Sequence, residues 1–453
     1  MKKILAWPAP LLQKWLLSLL LCAVLALFCA TTAQAAGVSI TLTASEYALH
    51  YAFDAGAQDP FVILEYATPA EKGWMMLYSA DGHFEGDVSL AYSGAGGKTS
   101  VALTSARTTG SIGKASTTLP KAADYQKPTG KSNAKVTDFV LTETPEGFHY
   151  AFNAIGTDYM LLYWRSKEQT VTQPVYPDEN GHYEGDVVSE LTFARTQFTV
   201  QVKSGSGSMK KEATVRKGYQ APETPQRQEG RLSGVTVCID AGHQENGRFV
   251  NEPIGPGLTG STSGKGGMAQ GTKTNRRESI VCLEIGMLLR DELLRQGANV
   301  IMTREDQTTF HTNIERCEIA EAGGAQIMLR LHCNNSSNRS KRGIQVYGPL
   351  NSDYAKAVAD ADTYREMGQK LLDAMKMRVG MTLANSTGMV RLNDNYVGNN
   401  WAKMMCFLVE MGYLSNPAEE YLLVTPVYQQ WLAEGMADGV YEIAVARGWV
   451  QAQ

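Results

Sequence analysis

Two rhythms of hydrophobic and polar positions divide this chain. From Val38 to about residue 216, apolar residues alternate with polar ones, as in VSITLT at 38–43, and Gly, Pro, Asp and Asn punctuate the pattern. A period of two broken by turn residues predicts half-buried strands in antiparallel sheets. From Gly234 onward, short β-branched runs are separated by longer segments with apolar residues three or four apart. Strands are predicted at 235–240, 299–303, 326–331, 343–347 and 404–409, and helices at 276–296, 314–322, 354–379 and 427–447. Helix 276–296 sets Ile280, Leu283, Met287 and Leu294 at helical spacing. Strand–helix alternation of this kind implies an α/β domain with a mostly parallel sheet flanked by helices on both faces.

The strand-rich region is a duplication. HYAF stands at 50–53 and again at 149–152, and GHFEGDV at 82–88 is answered by GHYEGDV at 181–187, both at an offset of 99 residues. Units of this size with short alternating strands suit two tandem β-sandwich repeats, expected at 36–110 and 134–216. The intervening stretches 111–133 and 217–233 have linker composition, rich in Thr, Ser, Gly, Lys and Pro. The α/β domain is expected over 234–450. Four of the seven histidines sit at matched places in the repeats, His50 with His149 and His83 with His182. They would serve either as a ligand site in each repeat or as turn and strand-face residues carried along by duplication, and the plainer second reading is adopted at this point. Trp74 and Trp164 are assigned to core packing rather than to a sugar-stacking face.

The ends and the composition narrow the setting. Lys2, Lys3 and Lys14 precede the apolar run Trp15 to Ala30, and AQA at 33–35 offers a small-x-small cleavage site, so residues 1–35 read as an export signal. No later stretch is long and apolar enough for a membrane helix, so no stable span is expected after cleavage. A formal net charge of −4 gives a nucleic-acid partner no support. Cys22 and Cys29 fall in the signal. The other five cysteines (Cys238, Cys282, Cys317, Cys333, Cys406) lie in apolar segments without a CxxC pair, and read as small buried hydrophobes, with a disulfide between two of them left open.

Candidate chemistry gathers at strand ends. The run VTVCIDAGHQ at 235–244 stops at a Gly turn and presents His243; strand 326–331 ends at His332, and strand 404–409 at Glu410. In an open parallel sheet such residues converge in the crevice beyond the carboxyl ends of the strands. Two histidines and a carboxylate there suggest a catalytic zinc site with an open position, and Glu278, at the start of helix 276–296, is the best-placed third ligand. Each residue has a plainer use: a solvated loop histidine, a capping box between Asn275 and Glu278, a satisfied core histidine, a support for the turn after Glu410. Their coincidence at one sheet edge favours the metal site.

At this point CIDAGHQ, the Glu278 helix, LRLHCN and LVEMGYLSNP resemble the zinc-dependent N-acetylmuramoyl-L-alanine amidases of bacterial cell walls, over about residues 233–449. TRED at 303–306, Arg316 with Ala320, and YLLVTPVYQQ extend the resemblance. It implies zinc ligation by His243, Glu278 and His332, Glu410 as catalytic carboxylate, peptidoglycan as substrate, and a secreted, cell-envelope location. Asp240 is a candidate for holding a ligand imidazole, by proximity in sequence alone. Cys282 stands where relatives often carry Asn. No helical insertion follows His332, which implies an open site. Rival functions are a zinc peptidase acting within the stem peptide and a non-catalytic wall-binding protein.

Overall fold

The computed structural model describes residues 31–452 except 35–36, 109, 126, 128–131, 145–146, 166–168, 189–196, 204–209, 217–221, 245–249, 263–266 and 381–388. The apolar run of the expected signal and Ala35 at its cleavage site lie outside the described residues.

Strands β1 (Thr31–Gln34), β2 (Ser39–Ala44), β3 (Ala48–Asp54), β4 (Phe61–Ala67), β5 (Glu71–Tyr78), β6 (His83–Ser89), β7 (Gly97–Ser105) and β8 (Ser111–Leu119) form the first strand-rich unit. The second consists of β9 (Ser132–Thr144), β10 (Gly147–Thr157), β11 (Met160–Arg165), β12 (Gln169–Val175), β13 (His182–Val188), β14 (Gln197–Lys203) and β15 (Lys210–Arg216). All their pairings are antiparallel. In the first unit, Ile40, Leu42, Tyr51, Phe53 and Phe84 from the β1-β2-β3-β6 sheet share one core with Val62, Leu64, Val101 and Leu103 from a second sheet. In the second, Phe148, Phe152 and Tyr183 from β13-β10-β9 meet Leu162, Trp164, Phe198 and Val200 in the same way. Trp164 is fully buried there.

Two features depart from the expectation of separate repeats. Residues from 111 onward do not begin a linker: β8 buries Gly113, Ala115, Thr117 and Leu119 while Ser, Lys and Thr point outward. Its composition is polar, but its period of two is that of a strand. The inner sheets of the two units also fuse. Gln169, Thr170 and Val171 of β12 pair with Gly73, Lys72 and Glu71 of β5, giving one eight-stranded sheet in the order β15-β14-β11-β12-β5-β4-β7-β8. Because β5 and β12 occupy equivalent places in the duplication, the units meet about an approximate two-fold axis, and each covers an edge that the other would leave open.

The C-terminal domain has a six-stranded sheet in the order β17-β16-β18-β21-β19-β20, built from β16 (Thr236–Ala241), β17 (Asn299–Met302), β18 (Ile327–Asn334), β19 (Gln345–Gly348), β20 (Met389–Leu392) and β21 (Met405–Tyr413). Helices α1 (Glu278–Arg295), α2 (Asn313–Ala322), α3 (Asp353–Val358), α4 (Ala361–Val379), α5 (Val397–Trp401), α6 (Glu419–Leu423) and α7 (Pro426–Ala446) accompany it. The sheet is mixed: four of its five pairings are parallel, while β19, with its parallel neighbour β20, runs antiparallel to β21. The short connection after β18 contains no described helix, so it cannot carry the chain back to the starting end of the sheet, and β19 returns in the opposite sense. The helix expected over 354–379 is broken at Ala359, after which Asp360 caps α4 by accepting from the Thr363 amide at 2.7 Å. Among the described residues, no helix is long and apolar enough to cross a membrane.

The first unit is packed onto this domain. Phe61, buried in β4, lies edge-on to Tyr428 and Trp431 of α7, with ring centroids 6.0 and 5.4 Å away. Tyr78 meets Trp431 at 5.1 Å and Trp74 meets Tyr421 of α6 at 4.8 Å. Trp74 is therefore a docking residue. Phe61 also belongs to the same buried cluster as the C-terminal core, so Phe61→Ala is expected to cost about 3–5 kcal/mol. The check is urea unfolding followed by far-UV circular dichroism, in which the helical signal should melt earlier although the substitution lies in the β region.

Candidate active site

The register of three strands assembles the site. In β16 and β18, Ala241 pairs with Leu331, and the Gly242 amide donates to the Leu331 carbonyl at 2.9 Å, which brings the turn after β16 beside His332. In β18 and β21, His332 pairs directly with Glu410. A Cβ on Gly242 would lie 2.6 Å from the His332 ring, so only glycine permits this approach. His243 follows with a φ of 58°, a left-handed conformation uncommon for a non-glycine residue and frequent at functional turns.

Glu278 enters from the start of α1. Its Oε1 lies 3.0 Å from His243 Nε2 and 2.9 Å from His332 Nδ1, and accepts from the Cys333 amide at 3.1 Å; its Oε2 accepts from the Ala269 amide at 2.8 Å. The capping-box alternative is not realised, because α1 begins at Glu278 itself with no side-chain cap. Ligand atoms of His243, Glu278 and His332 all lie within 4.8 Å of one another, the only such group among the described residues. Burial alone would raise the Glu278 carboxyl, but hydrogen bonding and charge from the two imidazoles outweigh it and hold it below the ordinary glutamate range. Burial also lowers His332, which favours the neutral ring that a metal requires.

Glu410 faces the same cleft and behaves oppositely. Its Oε2 is buried without a hydrogen-bond partner. Burial, reinforced by the charge of Glu278, pushes its carboxyl well above the ordinary range. The cleft, of about 800 Å³, is also lined by Val250, Phe310, His311, Asn335 and Tyr396.

Asp240 does not hold either imidazole. Fully buried, it accepts from Arg316 Nη1 at 2.5 Å, Arg330 Nε at 2.9 Å and Thr303 Oγ1 at 2.8 Å. Arg316 in turn donates to the carbonyls of Ala241 and His243, and Arg304 donates to those of Ala241, Gly242 and Ser279. Two guanidinium groups thus clamp the backbone that presents His243, and Asp240 anchors one of them. Desolvation opposes charge on Asp240, but the arginines dominate and keep its carboxyl far below the usual range. Arg330 was not singled out from sequence. The available signal was its place in the otherwise apolar run QIMLRL, where a buried cation needs a buried anion; Asp240 is its direct strand partner.

Two other carboxylates were missed. Glu252 accepts from the amides of Asn313 and Ile314 at the start of α2, and Glu420 from the amides of Lys273 and Thr274. They pin the described parts of the long 244–275 loop at separate points. The five cysteines of this domain are buried and free, so no disulfide joins them.

Residues 237–442 match the family model described as N-acetylmuramoyl-L-alanine amidase. The germination-specific N-acetylmuramoyl-L-alanine amidase of Bacillus subtilis is 26% identical over 231 residues, covering 48% of this chain and 83% of that protein. The probable cell wall amidase LytH of Staphylococcus aureus is 27% identical over 235 residues, covering 51% of this chain and 72% of its own length. The solved structure of the N-acetylmuramyl-L-alanine amidase Ami1 from Mycobacterium abscessus aligns with a TM-score of 0.42 at 20% identity, over 47% of this chain and 99% of that one.

Asp240→Asn would leave two buried guanidinium groups uncompensated, with an expected cost of about 3–5 kcal/mol. Because the folded-state carboxyl lies below its unfolded value, its contribution is present at neutral pH and is lost as the pH falls below about 4. Urea unfolding across that range should show a shallower acid loss in the variant than in the parent.

Proposed function

The chain belongs, through residues 237–442, to the N-acetylmuramoyl-L-alanine amidase family, and we propose that it hydrolyses the amide between the lactyl group of N-acetylmuramic acid and L-alanine in peptidoglycan. The observation that carries this reading is one carboxylate within 3.0 Å of two imidazoles, with a second, unpartnered carboxylate on the adjoining strand. The donor set fits zinc: two neutral-capable imidazoles and one carboxylate from His243, Glu278 and His332 leave a position open for reactants. When bound, zinc supplies Lewis-acid polarisation of the scissile carbonyl and acidifies water at the site.

The chain's own residues supply the rest. Glu410 Oε2, which has no protein partner, accepts a proton from the attacking water and returns it to the leaving amine nitrogen of L-alanine. Its raised proton affinity suits the return step, and a cation held by His243, Glu278 and His332 would favour the ionised form needed for the first. Arg304 and Arg316 keep the His243 turn rigid, so the ligand does not have to be ordered during turnover. The described part of the connection after β18 contains no helix across the cleft, which supports access by a polymeric substrate. Export by the N-terminal signal would deliver the protein to the cell envelope, and the docked repeats would hold the domain at the wall.

Mass spectrometry of soluble products from purified peptidoglycan tests the reaction. Stem peptides beginning with L-alanine should appear, and should disappear with a zinc chelator; fragments cut inside the peptide would reassign the bond. Glu410→Ala is expected to retain zinc and fold while losing at least about 100-fold in turnover. His332→Ala should lose the metal as well, as measured by elemental analysis.

A further inference from the structure

Two loops leave the cleft side by side. One is a hairpin over 269–278, in which the Glu278 amide donates to the Ala269 carbonyl and the Gly271 amide to that of Arg276, both at 2.9 Å. Ala269 and Glu278, at its base, line the cleft. The other loop follows β18: Asn334 and Asn335 line the cleft, and residues 336–342 run on from them. One short segment, 416–420, where β21 passes into α6, holds both. Buried Glu420 accepts from the Thr272 hydroxyl at 3.0 Å and from the amides of Lys273 and Thr274 at 2.9 and 3.1 Å. Asn416 Nδ2 donates to the carbonyls of Arg339 and Lys341 at 2.9 and 3.2 Å, and buried Glu419 accepts from the Gly343 amide at 2.7 Å. Arg339 Nη1 reaches across to the Thr272 hydroxyl at 3.2 Å and joins one loop to the other.

The charge on these loops is one-sided. QGTKTNRR at 270–277 and NSSNRSKR at 335–342 each hold three cations and no acid, in a chain whose formal net charge is −4. Two of the six cations turn inward. Arg276 is buried and paired with Glu284 at 2.7 Å, and Arg342 donates to the Arg107 carbonyl at 2.6 Å. Lys273, Arg339 and Lys341 are exposed, and none of the three has an ion pair among the described residues. The carboxylates of Glu419 and Glu420 fix the loops through amides and a hydroxyl, not through these cationic side chains. The fold thus gathers like charges from two separate segments beside a cleft. Repulsion among exposed cations works against that arrangement, and an anion laid across them relieves it.

We propose that Lys273, Arg339 and Lys341 form a docking surface for the carboxylates of the peptidoglycan stem peptide, a reading that rests on the amidase function proposed above. Continuity with the cleft selects this occupant. The wall at Ala269 and Asn335 leads directly into the two loops, so a chain extending from the scissile amide along that wall meets the cations. The stem peptide is such a chain. Its L-alanine nitrogen stands at the site, and the rest extends away at about 3.3 Å per residue, with carboxylates on its acidic residues and at its C-terminus. The guanidinium fork of Arg339 matches a carboxylate in shape as well as charge, and the two lysines add point charges on either loop.

Isothermal titration of the intact, zinc-loaded Glu410→Ala protein tests the surface without turnover. The probes are an N-acetylmuramoyl peptide with free carboxyls and the same compound with every carboxyl amidated. Adding Lys273→Gln/Arg339→Gln/Lys341→Gln is expected to weaken binding of the free acid about tenfold and to leave the amidated compound's affinity unchanged. Added salt should weaken binding of the free acid to Glu410→Ala and have little effect once the three cations are gone. Circular dichroism checks that both proteins are folded. Equal affinity of the two proteins for the free acid, or an equal loss for both compounds, would overturn the proposal. So would a loss seen only with polyglycerol phosphate, which would assign the surface to phosphodiesters. Turnover of both compounds by the parent is followed separately: its absence would count against the amidase reading, while the titration decides the surface.

Discussion

A single buried carboxylate supports the C-terminal site. Asp240 lies at the end of a central strand with no exposure to water and is neutralised by Arg316 and Arg330. An isolated charge at that depth would be prohibitively costly, and so would either guanidinium without it. Once the three are together, Arg316 has hydrogen bonds left for the carbonyls of the Ala241–His243 turn, and Arg304 takes the others. That clamp holds the left-handed turn at His243, while strand register brings Gly242 against His332 and so sets both imidazoles against Glu278. The site is thus held from beneath by charge pairing rather than by apolar packing alone, which suits a turn that must stay rigid at the edge of an open cleft.

The β region is tied to this domain at one end and to itself in the middle. Phe61, Trp74 and Tyr78 carry the first unit onto α6 and α7, while β5 and β12 join the two units into one sheet. Aromatic edge contacts and a continuous ladder both resist hinge motion, unlike a flexible tether. The two units therefore form a frame whose orientation to the cleft is set by packing.

Much of the organisation was legible in the sequence because it rests on periodicity and on strand ends. Alternation marked the β region, the repeat of HYAF and GHxEGDV revealed the duplication, and the apolar runs ending in His243, His332 and Glu410 marked one edge of a sheet. What was misread had a local pattern at odds with its tertiary use. β8 was hidden by linker-like composition, Asp240 by its nearness to His243, and the direction of β19 by the expectation that strand and helix simply alternate.

The sequence by itself determined which segments are strands and helices, that two units are copies, and which side chains stand at strand termini, because these depend on chain-local spacing and on residue type. Only the tertiary structure decided that β19 reverses, that Asp240 meets two arginines instead of an imidazole, and that Trp74 docks domains. Each of those outcomes depends on which strands lie side by side and in what register, and contacts between distant segments leave no period in a linear chain.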